Sequence, residues 1–329
     1  MKVFDGTFFS CAQLRELTKR LSPDLVALQI SSGPLEGKLR IFSLGAFRLN
    51  LLETNQTLFI SGARRPNLCT LAIPLNTTDL NEPYQVQGIP LLWPGLMGFN
   101  RKLMDFDMRL PAGSRLATLV ISHEHLLERH QQHAQSQLAL KRWHHTNQLE
   151  LRDPLARRLR NQLQCLINQN GIPHEPEEPD QLIESVLSCF KDAKARTMGI
   201  APREVRHEAG IELLHWFTRH PERKHTAEEL SQELHQSRTS LFKGCKEHFG
   251  QTPLEMQRSI RLDLVRQRLL NQTGCQQLGL NGIWEIALQF GFRSRSHFTR
   301  RFEAQYGEQP QKTLRNFDPN LSEVRTFGH

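Results

Sequence analysis

Arg293, Arg295, Ser296, Thr299 and Arg300 lie within eight consecutive positions. Guanidiniums donate through a planar fork and hydroxyls both donate and accept, the groups that suit base edges and phosphate oxygens. All of them fall on the outward face of a helical pattern whose inward stripe is Phe298, Phe302 and Tyr306. A second set lies upstream. There Leu241, Cys245 and Phe249 point inward, and Arg238, Thr239, Phe242 and Lys243 are left outward. Phe242 can offer only apolar contact, for instance with a thymine methyl.

The elements that position the downstream set are legible. Ile283, Ile286, Ala287 and Phe290 recur at helical spacing, Gly291 breaks the pattern and Phe292 follows as an apolar plug. A second helical pattern opens at Ser294 or Arg295 and is closed by Gly307 and Pro310. Two short helices joined by a tight turn form a helix-turn-helix, and the turn residue must tolerate positive φ, which glycine does freely. Residues Thr226 to Pro253 repeat the arrangement. Leu241 matches Phe298, Phe249 matches Tyr306, Gly250 matches Gly307 and Pro253 matches Pro310, each 57 residues apart (298 − 241). Leu230 and Leu234 match Ile286 and Phe290 at an offset of 56, so the two turns differ by one residue. Fixed-period similarity marks a repeated unit. Ser237 is the expected N-cap of the upstream recognition helix. Between the units runs LEMQRSIRLDLVRQRLL, free of Gly and Pro, with Ile260, Leu264 and Val265 available to both cores. A helix of that length spans about 25 Å. It would hold the two recognition helices near the groove repeat of about 34 Å. The competing reading of either hairpin alone is an ordinary α domain with a solvated basic face; the repeat weighs against it.

The stretch EIALQFGFRSRSHFTRRFEAQYGEQP, with ELSQELHQSRTSLFKGCKEHFGQTP and IRLDLVRQRLL before it, resembles the DNA-binding domain of the AraC/XylS family of bacterial transcription regulators. The resemblance covers about the last third of the chain, from about Arg203. It implies a DNA-binding domain over residues 203–317, with helix-turn-helix units at 226–250 and 283–307. By the same resemblance base-contacting positions carry over onto Thr239, Phe242 and Lys243, and onto Arg295, Ser296, Thr299 and Arg300. Arg293 and Arg301 are left as phosphate clamps or solvated charge. The upstream unit departs from the pattern at His235, where a small residue or glycine is common, at Ser231, where alanine is usual, and at Cys245, where phenylalanine is common. Gly244 costs the helix about 1 kcal/mol against Ala. The family reading is a sequence-specific regulator, an activator, with promoter or operator DNA, RNA polymerase and a small-molecule effector as partners. A second copy of the chain is a further candidate partner. The alternative is an enzyme or metabolite-binding protein that uses the helical domain for another contact.

Composition agrees. A chain of 329 residues suggests two domains, and a net charge of +8 favours polyanionic partners. Cys11, Cys69, Cys165, Cys189, Cys245 and Cys275 form no C-x-x-C pair, so they read as buried small apolar residues in a reducing compartment. The first ten residues lack a signal-peptide pattern and no apolar run reaches a membrane span, so a cytoplasmic protein without membrane contact is expected.

The fold class expected is α+β in two domains: residues 1–195 for sensing and dimerisation, residues 203–317 for DNA, and a tail at 318–329. Within the first, residues 1–122 read as β and residues 123–195 as helical. Short β-branched or aromatic runs at residues 25–30, 38–43, 46–52, 57–61, 68–75, 84–89 and 115–122, separated by turn signals, suggest a sandwich or barrel. Phe47, Leu49 and Leu51 alternate cleanly, pointing one face inward. The family resemblance implies a cupin-like barrel here, and Gly37 to Gly45 is similar to the ethanolamine-operon-activator branch. No histidine precedes His123, so the usual ligands of a metal-dependent cupin are missing. No catalytic residue, metal site or cofactor is assigned. A sensor pocket remains, with Trp93, Phe99, Phe106 and Arg109 as candidate lining and its effector unknown. His130 and His133 stand three apart on a helical stretch, a spacing that can chelate a metal. No cysteine or carboxylate joins them at ligand spacing, so a solvated helix face is the reading. Leucine-rich stripes at residues 153–168 and 182–190 predict two further helices packed within the domain, one of them on the barrel, with a dimer contact as the alternative.

Overall fold

Period-two alternation between residues 26 and 122 builds two stacked antiparallel sheets, and neither closes into a barrel. The structure is a computed structural model and describes residues 2–76, 80–133, 136–173, 175, 177–223, 225–271 and 282–315. The first sheet runs, in spatial order, β1 (Lys2–Phe8), β3 (Gly37–Leu44), β4 (Phe47–Thr54), β11 (Ser114–Ser122), β6 (Leu68–Pro74), β9 (Gly95–Met97), β12 (Gln148–Glu150) and β13 (Thr197–Met198). The second runs β2 (Val26–Gln29), β5 (Leu58–Ala63), β10 (Asp105–Leu110), β7 (Gln85–Val86) and β8 (Ile89–Pro90). Strands β1, β9, β10, β12 and β13 and the helix α1 (Cys11–Thr18) are additions to the sequence reading, β12 interrupts the stretch expected to be helical, and the run at 84–89 divides into β7 and β8. The alternation of DFDMRL carries charge on one face, which reads as loop until that face has partners.

Phe47, Leu49 and Leu51 point into the core as the alternation expects, and the other face of β4 is covered as well. Those side chains turn away from the second sheet, onto α4 (Leu155–Asn168) and α5 (Glu178–Lys191), in one core with Leu163, Leu187 and Phe190. Arg48, Asn50 and Leu52 line the gap between the sheets instead. The histidine-rich stretch is two helices, α2 (His123–His133) and α3 (Gln137–His145), the second capped by the Ser136 hydroxyl. The solvated-face reading fails for His130. It is buried, and its Nε2 lies 3.2 Å from the Ser136 carbonyl. The His133 side chain, Cys275 and the tail at 318–329 lie outside the described residues.

The outer face of the second sheet packs on the C-terminal helices α6 (Val205–Arg219), α7 (Ala227–Glu233), α8 (Arg238–Phe249) and α9 (Pro253–Leu270). Val26, Leu28 and Phe59 share one core with Leu213, Phe217, Leu241 and Phe249, and the Phe59 and Phe249 rings meet edge to face at 4.8 Å. A polar seam borders this core. Asp107, 1% exposed, accepts from Arg203 at 2.6 Å and lies 3.3 Å from His207 Nε2, while Arg203 also reaches Asp105. Burial alone would raise the Asp107 pKa; the hydrogen bond from His207 and the Arg203 charge outweigh it and hold it below 3.8. Further along, buried Asp263 of α9 accepts the Cys11 and Ala12 backbone N–H groups, both at 2.7 Å. Those are orphan donors of the first turn of α1, where the helix dipole also favours a carboxylate.

Gly244 is explained by packing rather than propensity. A Cβ there would stand 1.9 Å from the Arg206 carbonyl oxygen, and one on Gly210 would stand 3.0 Å from the Gly244 backbone. The next position, Cys245, is fully buried in the core that α6 and α8 share. Cys11, Cys69 and Cys189 are buried as expected, whereas Cys165 is exposed.

The seam makes stability pH-dependent. The His248 ring lies 3.7 Å from that of His207, and burial followed by the His207 charge brings its pKa down from 6.5 to about 4. The unfolded chain therefore binds that proton first, so this contribution is complete above 6.5 and is lost as pH falls toward 4. We expect the urea midpoint of the full chain to drop across that window, and His248→Gln to flatten the drop. An unchanged slope in the variant would remove His248 from the account.

Candidate nucleic-acid interface

The two helix-turn-helix units are built by the same local chemistry. Helices α8 and α11 (Arg295–Tyr306) have 12 residues each, begin after Ser237 and Ser294 as hydroxyl N-caps, and end at Gly250 and Gly307 in the left-handed region. Helices α7 and α10 (Ile283–Gln289) have seven residues each. Both end in the same turn. Gln236 N–H bonds the Ser231 carbonyl at 3.1 Å, and Phe292 N–H bonds the Ala287 carbonyl at 3.1 Å, the six-to-one bond of a Schellman cap. Such a cap needs positive φ at the preceding residue. Gly291 supplies it at φ 81 and His235 at φ 51. The departure at His235 thus keeps the geometry and adds strain of about 1–2 kcal/mol. Ser231 joins the same turn, its hydroxyl donating to the Gln236 carbonyl at 2.6 Å.

Helix α9 serves both units. It gives Met256 and Ile260 to the upstream core, with Leu264 packed against it, and gives Leu262, Val265 and Leu269 to the downstream core of Ile286, Phe298, Phe302 and Tyr306. Val265 therefore faces the downstream unit alone. Helix α12 (Pro310–Arg315) closes that unit, and Arg266 stacks on Tyr306 at 4.5 Å.

The outward faces carry the residues expected from spacing. Arg238, Thr239, Phe242 and Lys243 are exposed on α8; Arg293, Arg295, Ser296 and Arg300 are exposed on or just before α11, and Thr299 is half-buried. Phe242 is 49% exposed, unusual for a phenylalanine with nothing folded over it. Two of the arginines have partners. Arg238 forms an ion pair with Glu228 of α7, and Arg295 lies over the Trp284 ring at 5.7 Å. Both partners were absent from the sequence reading, because each sits on the preceding helix of its unit. Arg258 of α9 joins the positive field. Burial, then the charges of Arg258, Arg301 and Arg300, lower the His297 pKa. Among the described residues no ion pair engages Lys243, Arg293, Arg300 or Arg301, so their charge is available to phosphate or base acceptors.

The pocket residues fare differently. Of the four expected, Phe106 alone lines the gap between the sheets. Phe99 is fully buried behind the first sheet against Phe190, Trp93 stacks on Tyr84, and Arg109 faces the helices, bonded to Glu82 and to the His248 carbonyl. Arg48 and Asn50 line the gap and were missed. Their signal was a charge and an amide alternating with Phe47, Leu49 and Leu51 on a strand covered on both faces. No group of three or more metal-binding side chains occurs among the described residues, nor does any described helix have the length and apolarity to cross a membrane.

A family of helix-turn-helix domains matches residues 230–316. The XylDLEGF operon transcriptional activator 2 of Pseudomonas putida is 32% identical over 87 residues, which is 26% of this chain and 53% of the relative. The chain thus matches about half the length of that relative. Among solved structures, the AraC-like transcriptional activator CuxR is 15% identical with a TM-score of 0.40, over 86% of this chain and 99% of that one. ToxT from Vibrio cholerae is 13% identical with a TM-score of 0.30, over 88% and 97%. Those two superpositions are loose, and the family match rests on the C-terminal segment.

The turn geometry is testable by exchange. Gly291→Ala has room for its Cβ, the nearest atom being Arg261 Nη1 at 3.4 Å, an ordinary contact, so only backbone strain opposes it. It should lose about 1–2 kcal/mol of stability, while His235→Gly loses none. Thermal unfolding of both variants checks this, and a stabilised Gly291→Ala would contradict the left-handed cap.

Proposed function

We propose that the helix-turn-helix segment at residues 230–316 is an AraC-type DNA-binding domain, and that the whole protein is a sequence-specific transcription regulator, acting as an activator and answering to a small molecule held in its N-terminal half. The observation that supports this best is the doubled recognition unit. Two helices of equal length, with the same hydroxyl and glycine caps, turn basic and hydroxylated faces outward from the two ends of one helix. A structural hairpin has no need of exposed cations beside hydroxyls on its outer face in two copies. We read residues 1–195 as the sensing half, residues 203–317 as the DNA-binding half, RNA polymerase as the downstream partner, and the chain as a regulator rather than an enzyme.

Within that reading, Thr239, Phe242 and Lys243 of α8 and Arg295, Ser296, Thr299 and Arg300 of α11 read bases. Arg238 and Arg293 hold phosphate. Arg238 must exchange Glu228 for a phosphate; both side chains are exposed, so the exchange costs about 0–1 kcal/mol. Arg295 keeps Trp284 beneath it, which fixes the guanidinium plane before it meets a base edge.

Binding of the full chain to the intergenic duplex beside its own gene, and to a scrambled duplex, should be measured at several salt concentrations. Arg295→Ala and Arg300→Ala should each cost about 1–3 kcal/mol on the native duplex and relax preference at one or two base pairs. Arg293→Ala should weaken both duplexes alike and lower the salt slope by about one unit. Equal losses on both duplexes for Arg295→Ala and Arg300→Ala would assign those residues to phosphate and end the base-reading role.

A further inference from the structure

Between the two sheets lies a cavity of about 210 Å³. Strand register grades its first wall from polar to apolar. Arg48 stands opposite Val120, which stands opposite Thr70; Asn50 opposite Thr118 and then Ala72; Leu52 opposite Leu116. Across the gap Ile60 and Met108 pair, and Phe106 stands opposite Gly62, so the second wall is mostly apolar, with Gln87 at its edge. Three arginines line the cavity, Arg48, Arg64 and Arg65, and no carboxylate does.

The three arginines are not equivalent. Arg64 is committed to the fold, its guanidinium donating to the Asn100 and Leu103 carbonyls and to Thr70 Oγ1. Arg65 is exposed at the rim and donates to the Arg20 carbonyl. Among the described residues Arg48 has neither an ion-pair partner nor a hydrogen-bond acceptor. Its Nε is buried without a hydrogen-bond partner, and so is Oδ1 of Asn50 on the same face. Burial, reinforced by the nearby Arg65 charge, disfavours the charged form of Arg48. An unpaired guanidinium in a partly desolvated site calls for an anion, and a planar oxyanion is the acceptor its fork fits.

Taking the N-terminal half as the sensing half, we propose that this cavity binds a small organic monoanion, a carboxylate on a short apolar body. Its oxygens meet Arg48 and its body lies along Leu52, Leu116 and Met108. Inorganic phosphate would satisfy the arginine and leave the apolar end empty; a neutral apolar molecule would bury Arg48 still unpaired. The wall opposite Arg48 is also the sheet that grips the DNA-binding half. Phe106 and Met108 of β10 face the cavity, while Asp105 and Asp107 of the same strand hold Arg203. A ligand that shifts this wall shifts the seat of α6 and α8.

The test is calorimetric titration of the full-length protein with butanoate, hexanoate and octanoate, and with 1-octanol and octylamine as neutral and cationic counterparts. At least one carboxylate should bind at least tenfold tighter than 1-octanol, and octylamine should not bind. Arg48→Met should lose that advantage, and Arg48→Lys should keep part of it. Without ligand, Arg48→Met should unfold at the same or a higher temperature than the parent, since it removes an unpaired charge; a structural arginine would lower it. The proposal is overturned if none of the carboxylates binds, if 1-octanol binds as tightly, or if Arg48→Met binds like the parent. Duplex binding is measured alongside. Carboxylate binding without duplex binding would leave this site and remove the regulator reading; duplex binding without carboxylate binding would do the reverse.

Discussion

A buried carboxylate ties the two halves of this molecule together. Asp107 is 1% exposed on the outer face of β10, and it is tolerable there because Arg203 and His207 arrive from the C-terminal half. Removing one partner from such a pair costs about 3–5 kcal/mol, since the other charge stays buried. The second sheet and helix α6 therefore keep one relative position, and the rest is arranged around it. The apolar contacts of Phe59 with Phe249, and of Val26 and Leu28 with the helical core, sit beside the pair. The Asp263 carboxylate of α9, accepting two N–H groups at the start of α1, fixes a second point on the same side of the molecule.

Helix α9 converts that anchoring into a defined presentation of the recognition helices. It contributes to both helix-turn-helix cores, so α8 and α11 are held relative to each other by one rigid rod. The upstream unit is also pressed against the sheet through Phe249 on Phe59, whereas the downstream unit has a core of its own. The two units are alike in local structure and differ in surroundings.

Much of the C-terminal third was legible because its signals are local. Helix periodicity, hydroxyl N-caps and glycine C-caps each act within one turn of chain, and the 57-residue repeat supplied an internal check. Even His235, a departure from the pattern, kept the turn it replaced. The N-terminal half was legible only as strands. Whether the Phe47 face or the Arg48 face of β4 meets the other sheet is decided by helices more than a hundred residues later, which no periodicity within β4 encodes.

The sequence by itself determined the identity, order and caps of the recognition helices, because hydrogen bonds and steric limits between near neighbours decide those. It also determined which of their residues face outward. The tertiary structure alone decided that Arg238 pairs with Glu228, that Arg295 rests on Trp284, and that Gly244 exists to let α6 approach. It alone placed Arg48 in a cavity without a counterion and put Asp105 and Asp107 against Arg203. These depend on which surfaces meet across long stretches of chain. That is set by burying apolar area and matching charge in three dimensions, and neither quantity is written in local spacing.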